Sequence, residues 1–332
     1  ADCFKSQQQP SVAVHYFLRE LIWCAPGFGN TTHHSQKQDD TFMNLRLYCL
    51  VMMASLTGCI TGSNATFIES ENQNSRVRMI VIHYTSENFA DSLELLTKRS
   101  SNPVSAHYLL PESNDSSYPH GKLKTYQLVD ENRRAWHAGQ SFWRGKSGLN
   151  DQSIGIEVVN LGRCLQQKKS DTYMLLGRNI LCSFPTYADD QIDQLIVLIK
   201  QILSRHPDID PTNVVGHSDI APGRKVDPGP RFPWQRLHQA GIGAWYDETV
   251  ATNFLSHFST ELPTVETVQK ALSIYGYRVE ATTVWDDQTR AALEAFQLHF
   301  RSHRVDGEID AETAAILFAL LSRYRADQLQ TL

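Results

Sequence analysis

The stretch that decides the fold is "RVRMIVIHY", residues 76 to 84. It is an apolar run with β-branched residues, and its second-last residue is a histidine. Such a run predicts a strand that is buried on both faces of a sheet. Four later runs have the same character: "SAHYLL" (105–110), "TYQLV" (125–129), "SIGIEVV" (153–159) and "NVVGH" (213–217). Helical patterns lie between these runs. We therefore expect an α/β domain with a central sheet over residues 76 to 245.

The helical patterns divide the chain further. Within residues 189 to 206, apolar residues recur at helical spacing, and Asp189 or Asp190 is well placed as the N-cap. From about residue 263 the pattern becomes entirely helical, with Thr264, Asp286 and Asp310 as predicted N-caps of short helices. We expect a small three-helix bundle over residues 263 to 332, joined to the α/β domain by a linker over residues 246 to 262.

Composition excludes one class of function. The chain has 332 residues, enough for about two domains. Its formal net charge is -5, and lysine and arginine form no dense cluster. A nucleic-acid-binding protein normally presents a basic face, so we expect no nucleic-acid partner.

An apolar stretch near the start has the layout of a secretory signal. "MNLRLYCLVMMASLTGC" (43–59) has one basic residue, a short apolar core and small residues before its final cysteine. The ending "LTGC" resembles a bacterial lipobox, in which Cys59 would be lipidated. We expect residues 1–42 to be absent from the mature protein, 43–58 to be the signal peptide, and 59–75 to be the lipidated cysteine and its tether. The alternative is a buried helix of a globular domain.

Two further cysteines follow in the mature part, Cys164 and Cys182. In an oxidising compartment they could pair, and as two buried free thiols they would not. The sequence leaves both possibilities open.

Ionisable residues gather at strand ends and on one proline- and glycine-rich loop. His83 and His217 end two predicted strands, and "GRKVDPG" (223–229) follows the second. If that loop is extended, Lys225 and Asp227 lie on the same face, because side chains alternate. Two histidines and a carboxylate are a common catalytic zinc shell that leaves a fourth position open. The alternative for each histidine is a core or surface role.

Other polar residues could supply the chemistry around such a metal. Glu157 lies within an otherwise apolar strand, where a carboxylate is costly unless it is paired or used. We expect it to be a catalytic base, and a structural salt bridge is the alternative. Lys225 could place its ammonium over a developing oxyanion. Asp219 either orients His217 or caps the turn.

At this point a resemblance to a known family becomes specific. "VIHYT", "SAHYLL", "AWHAGQSFWRGKSGLNDQSIGIEVVN" and "VVGHSDIAPGRKVDPGPRFPW" are similar to successive motifs of the type 2 N-acetylmuramoyl-L-alanine amidases, which are zinc-dependent. Within that family the chain resembles the AmiD-type lipoproteins. The resemblance implies a central mixed β-sheet flanked by helices. It makes His83, His217 and Asp227 the ligands of one Zn²⁺ ion, Glu157 the catalytic glutamate and Lys225 the transition-state lysine.

The substrate-binding residues are predicted from residue type. Trp136, His137, Trp143 and Arg144 are expected to line the groove, since aromatic faces suit sugar rings and arginine suits a stem-peptide carboxylate. The C-terminal helices resemble the peptidoglycan-binding domain type 1. The alternative is a helical appendage that only packs on the catalytic domain.

The resemblance implies hydrolysis of the bond between the lactyl group of N-acetylmuramic acid, or its 1,6-anhydro form, and L-alanine. The expected protein is a monomer that acts on peptidoglycan fragments. A lipid on Cys59 would anchor it in the outer membrane of a Gram-negative bacterium, facing the periplasm. A non-catalytic peptidoglycan receptor is one alternative. A zinc peptidase is another, although the chain has no H-E-x-x-H motif.

Overall fold

The computed structural model describes residues 65–66, 68–162, 174–176 and 180–332. Within them, Asn72–Leu332 belong to one compact unit. The expectations for residues 1–58 and for the lipidation of Cys59 fall on parts of the chain outside this description, and so does Cys164 of the Cys164–Cys182 pair.

The described part of the α/β region contains the five predicted strands together with further short strands. Its strands are β1 (Met79–Tyr84), β2 (Tyr108–Leu110), β3 (Tyr126–Gln127), β4 (Phe142–Trp143), β5 (Lys146–Ser147), β6 (Ser153–Val158), β7 (Met174–Leu176), β8 (Ile180–Cys182) and β9 (Val214–Gly216). The five predicted ones are β1, β2, β3, β6 and β9. Its helices are α1 (Phe89–Thr97), α2 (Asp189–Arg205), α3 (His217–Ile220) and α4 (Trp234–Gln239). Short 3-10 turns precede β6 and β9.

The central sheet is mixed, as expected. Its five strands have the order β3-β2-β6-β1-β9. Strand β1 is parallel to both β6 and β9, β2 is parallel to β6, and β3 is an antiparallel edge strand. The parallel strands therefore share one carboxyl edge, which is where α/β proteins place their sites.

Strand β1 is buried on both faces, as the apolar run predicts. Ile80 and Ile82 pack in one apolar cluster with helix α2. Met79 and Val81 belong to a second cluster, which continues into the C-terminal helices. The alternation follows from the two-residue period of a strand.

The predicted N-cap of α2 is wrong by one or two positions. The cap is Ala188, which contributes no side-chain hydrogen bond, and Asp189 and Asp190 are the first helical residues. Asp189 instead pairs with Arg236 of α4, whose Nη1 is 2.5 Å from its carboxylate. Both acids still favour the helix, because they lie at its positive end.

The C-terminal region has more helix than predicted, and its first helix lies where we expected a linker. The helices are α5 (Glu248–Phe258), α6 (Val265–Tyr275), α7 (Asp287–Phe300), α8 (Ala311–Tyr324) and α9 (Ala326–Leu329). Helix α5 occupies most of residues 246 to 262, and its Phe258 is buried in the same core as Phe318 of α8. The linker prediction is therefore wrong, because these residues bury an apolar face. In the described ranges no helix has the length and apolarity needed to cross a membrane.

The predicted caps of α6, α7 and α8 are confirmed. Thr264, Asp286 and Asp310 each accept a hydrogen bond from the backbone N–H three residues later, at 3.2, 2.8 and 2.8 Å. Each bond satisfies one of the amide groups left open at a helix start.

Candidate metal centre and active site

Three side chains converge at the carboxyl edge of the sheet. His83 lies near the end of β1, His217 begins α3 directly after β9, and Asp227 lies on the following loop. The distance between the Nδ1 atoms of the two histidines is 3.0 Å, and these atoms are 3.0 and 3.1 Å from Oδ2 of Asp227. All three residues are buried. Ligand atoms around a tetrahedral zinc ion lie about 3.3 Å apart, so the triangle has nearly the size that zinc requires.

The backbone explains why these residues meet. In the parallel register Ile82 is paired with Gly216, so the two histidines that follow leave the sheet at the same edge. Gly216 also permits a close approach, because a Cβ atom there would lie 2.6 Å from Cδ of Pro228. The backbone N–H of Ser218 then donates to the carbonyl of Asp227 at 2.9 Å, which brings the third residue back to the first two.

The hydrogen-bond partners assign the proton positions of His83 and His137. Ser153 donates its hydroxyl proton to the carbonyl of Leu149 at 2.6 Å, so its oxygen must accept from Nε2 of His137 at 3.2 Å. Nδ1 of His137 is then an acceptor for Nε2–H of His83, 3.0 Å away. In the neutral His83 ring, Nδ1 is left with a lone pair.

In His217, too, the proton lies on Nε2, and here a single hydrogen-bond partner fixes its position. Its Nε2 lies 3.1 Å from the carbonyl of Ala138, which can only accept, so Nε2 carries the proton. In the neutral ring Nδ1 has a lone pair here too. The triangle therefore consists of three acceptors with no proton between them, and a cation satisfies such a set. Backbone and side-chain partners that orient histidine ligands in this way are typical of metal sites.

The electrostatics favour the forms that bind a metal. Burial, with the neighbouring His217, lowers the pKa of His83 to about 4, so this ring is neutral at pH 7. Burial also holds the pKa of His137 well below its usual value. Burial alone would raise the pKa of Asp227, but His217 and His83, when their rings carry protons, outweigh it and hold that pKa well below the usual range. Neutral imidazoles and an ionised carboxylate are the metal-binding forms.

Glu157 lies beside this triangle. It is the register partner of His83 on the adjacent strand β6, and both residues line one cleft. Its Oε2 atom is buried and has no hydrogen-bond partner among the residues that the structure describes. Burial, with the charge of Asp227, raises the pKa of Glu157 well above its usual value, and Lys225 opposes that rise. A carboxylate with a raised pKa and an open oxygen can accept and return a proton.

The cleft itself has a volume of about 320 Å³ and combines these polar groups with an apolar rim. Lys225 lines it from the exposed loop. On the rim, Trp136 is 52 % exposed and Leu95 is 54 % exposed. The cleft therefore offers a metal-binding triangle, a base, a cation and an exposed aromatic face.

Comparisons with known proteins agree with this chemistry. Residues 73–230 match the family described as N-acetylmuramoyl-L-alanine amidase, and residues 261–317 match a family described as a peptidoglycan binding domain. The chain is 44 % identical over 254 residues to N-acetylmuramoyl-L-alanine amidase AmiD of Escherichia coli K12. This match covers 76 % of this chain and 85 % of that protein. This chain belongs to the N-acetylmuramoyl-L-alanine amidase family.

Two solved structures share the fold of this family member. AmpDh3 from Pseudomonas aeruginosa is 43 % identical with a TM-score of 0.69, covering 79 % of this chain and 98 % of its own. A complex of E. coli AmiD with anhydro-N-acetylmuramic acid-L-Ala-D-gamma-Glu-L-Lys is 41 % identical with a TM-score of 0.66, covering 78 % and 94 %. The central mixed sheet, the flanking helices and the helical C-terminal region are thus those of an amidase.

Two residues predicted to line the groove of this amidase lie elsewhere. Trp143 is 3 % exposed, donates from Nε1 to the carbonyl of Thr212 at 3.1 Å and packs its ring on Tyr277. Arg144 binds the side chains of Thr212 and Asn213. Neither residue lines the cleft described above: Trp143 joins the core shared with the C-terminal helices, and Arg144 is held by the two polar side chains that precede β9.

His137 and Trp136, adjacent in sequence, have different environments. Trp136 stays at the rim of the cleft. His137 is buried, and both of its ring nitrogens already have protein partners, so it orients His83 instead of offering a hydrogen bond to substrate. His137 does line the cleft, as the sequence predicted. Gly155 leaves room for this ring, because a Cβ atom there would lie 2.4 Å from it.

Sequence reasoning missed Ser153 and Asn150. Ser153 accepts from His137, and Asn150 accepts from the backbone N–H groups of His137 and Ala138 at 3.0 and 2.8 Å. The available signal was Gly155 within a buried strand, which indicates a close approach by another group.

For Asp219 the sequence left two roles open, orienting His217 or capping the turn. In the structure it caps the first turn of α3 by accepting from the N–H of Gly216.

Proposed function

We propose that this protein hydrolyses the amide bond between the lactyl group of N-acetylmuramic acid, or its 1,6-anhydro form, and L-alanine of the stem peptide. The observation that carries the proposal is the triangle of three buried acceptors beside Glu157 in one cleft. Family membership supports the reaction class. The substrate is supported by the related AmiD, whose structure contains an anhydro-N-acetylmuramic acid tripeptide.

We propose that His83, His217 and Asp227 hold one Zn²⁺ ion per catalytic domain. Two imidazoles and one carboxylate are a donor set that zinc uses in hydrolases, and it leaves a position open. A bound zinc ion supplies Lewis acidity, which acidifies water and polarises a carbonyl. The triangle's size and its lack of internal protons support the assignment.

The protein's own groups would move the proton and hold the charge. Glu157 would take a proton from the attacking water with its unpartnered oxygen and later return it to the departing L-alanine amine. Lys225 would donate from its ammonium to the oxyanion that develops on the lactyl carbonyl. Both residues lie in the wall of the same cleft, which supports these roles.

Trp136 is the remaining candidate for a substrate contact. Its indole lies at the cleft rim and is half exposed, so it could pack against the apolar face of a sugar ring. An exposed tryptophan beside further apolar residues is unusual unless it binds something.

The organisation of the chain is part of the proposal. We propose a catalytic domain over residues 76–245 and a peptidoglycan-binding region over residues 263–332, the latter supported by the family match to residues 261–317.

We also propose that residues 43–58 are a lipoprotein signal and that Cys59 carries the lipid. The lipid would anchor a monomer in the outer membrane, facing the periplasm. Metabolic labelling with a fatty acid in wild type and Cys59→Ala tests the anchor.

The test of activity uses a N-acetylmuramic acid tripeptide and its 1,6-anhydro form, with and without a chelator, and identifies products by mass. We expect free tripeptide, which disappears on chelation and returns with added zinc. Binding without cleavage would favour a receptor. Cleavage within the peptide would favour a zinc peptidase.

A further inference from the structure

A second buried polar cluster connects the metal-ligand loop to the C-terminal helices. Asp219 lies two residues after His217 and is 1 % exposed. Its Oδ2 atom accepts from the backbone N–H of Gly216 at 2.8 Å, which closes the turn that carries His217. The position of this carboxylate therefore sets the position of the turn.

Two residues of the C-terminal region hold that carboxylate. The hydroxyl of Tyr277 donates to Oδ1 at 2.5 Å, and Nδ1 of His299 donates to Oδ2 at 2.7 Å. Tyr277 is 1 % exposed and His299 is 5 % exposed. Charge-assisted hydrogen bonds of this length are strong and directional, above all where water is excluded.

The two donors are themselves fixed. The ring of His299 stacks on Trp234 and on Phe300, with centroid distances of 3.8 and 4.0 Å. The ring of Tyr277 packs edge-on against Trp143 at 5.0 Å. Trp143 and Trp234 belong to the α/β region, so each donor is held between the two regions of the chain.

The effect reaches two of the three candidate ligands. Asp219 holds the Gly216 end of the turn and hence His217. The next residue, Ser218, donates its N–H to the carbonyl of Asp227 at 2.9 Å. A displacement of the turn would therefore move both His217 and Asp227 relative to His83, which lies on a different strand.

We propose that Tyr277 and His299 are positioning residues for the metal centre, acting through Asp219. The C-terminal helices are then an integral part of the active site as well as a region that resembles a peptidoglycan-binding domain. This inference rests on the proposed function insofar as it names His217 and Asp227 as zinc ligands.

The test is the zinc affinity of the metal-stripped full chain, measured by competition with a chromophoric chelator and without substrate. Tyr277→Phe and His299→Leu each remove one donor, and we expect zinc affinity to fall by about 10- to 100-fold, the usual effect of losing a partner of the ligand shell. His299→Asn can place an amide N–H near the position of Nδ1, and we expect affinity within about threefold of wild type.

Tyr275→Phe is the matched control. Tyr275 is buried in the same core, 2 % exposed, and no hydrogen bond to Asp219 is found for it in the described part of the chain. The Tyr275→Phe variant should have the zinc affinity of wild type, whatever the substitution does to the melting temperature of the apo protein. The absorption spectrum of the cobalt-loaded protein gives a second readout of ligand geometry, and it should change in Tyr277→Phe but not in Tyr275→Phe.

A lower melting temperature with unchanged zinc affinity and cobalt spectrum in Tyr277→Phe and His299→Leu would overturn the proposal, leaving the cluster a purely structural role. Zinc binding by a wild type that cleaves nothing would refute the proposed function alone. A wild type that binds no zinc would refute both.

Discussion

Two buried clusters of histidine and aspartate share the segment of residues 216–227, and they differ in the balance of hydrogen-bond donors and acceptors. In the first, the facing atoms of His83, His217 and Asp227 are all acceptors, with no proton to share. In the second, Asp219 accepts from Gly216, Tyr277 and His299, so every contact pairs a donor with an acceptor. The residue types are nearly the same. The balance of donors and acceptors distinguishes a site that can bind a cation from one whose hydrogen bonds are already complete.

The difference has an energetic consequence. A buried acceptor without a partner costs roughly 1–3 kcal/mol, so the first cluster opposes folding until something fills it. The second cluster contributes to stability from the start. A cation that binds the first cluster should therefore stabilise the folded protein.

The largest expected effect is at the open cluster. Asp227→Ala removes the only charged acceptor of the triangle, and we expect zinc affinity to fall by more than about 100-fold, beyond the usual loss for an indirect partner. Cleavage should be lost with it. Thermal unfolding with and without zinc checks this, because zinc should raise the melting temperature of wild type but not of the variant. A variant that keeps its metal would contradict the ligand assignment.

Glu157→Gln tests whether Glu157 serves as the catalytic base without contributing to zinc binding. The change keeps the size of the side chain but removes its ability to accept the proton of water. We expect kcat to fall by about 10²- to 10⁴-fold, the usual contribution of a general base, with zinc content unchanged. Steady-state kinetics and metal analysis on the same sample measure both. Near-normal turnover would remove Glu157 from the mechanism.

Ser153→Ala tests the argument that assigns the protons. Without the serine oxygen, Nε2–H of His137 loses its acceptor and the ring can take its other tautomer. His83 would then carry its proton on Nδ1, between the ligand atoms. We expect zinc affinity to weaken by about 10-fold. Ser92→Ala, a buried serine in the same cleft but outside this chain of bonds, is the control. Equal affinities in the two variants would refute the tautomer assignment.

The smallest expected effect is at another complete cluster, which lies outside the cleft of the candidate metal site. Glu131 accepts from Tyr108, Arg205 and His206 at 2.6 to 2.9 Å. Burial alone would raise the pKa of Glu131, but these partners outweigh it and lower the pKa to about 2. The stabilisation is therefore complete above the ordinary glutamate pKa near 4.5 and is lost as pH falls towards 2.

Glu131→Gln should lower the free energy of unfolding at pH 7 by about 1–3 kcal/mol. It should also reduce the loss of stability between pH 4.5 and 2. Denaturant unfolding of wild type and variant at several pH values measures both effects, and zinc affinity at pH 7 should not change. A pH dependence identical to that of wild type would show that Glu131 is not the group responsible.

Much of this arrangement could be predicted from the sequence, because it depends on local rules. Apolar runs placed the strands β1, β2, β3, β6 and β9, and the caps Thr264, Asp286 and Asp310 marked their helices correctly. His83 and His217 were singled out as strand-end histidines, and Glu157 as a charge within an apolar strand. The parallel register is what brings such residues to one edge.

The rest was decided by contacts between distant parts of the chain. Asp219 binds Tyr277 and His299, which lie 58 and 80 residues later in the sequence, and no local pattern predicts either pairing. Trp143 was predicted in the groove but lies in a core shared with the C-terminal helices, and α5 formed where a linker was expected. Residue type and spacing determine which groups can bind a metal or enter a core. Only the packed structure determines which donor faces which acceptor, because that depends on directions and distances that a linear pattern does not contain.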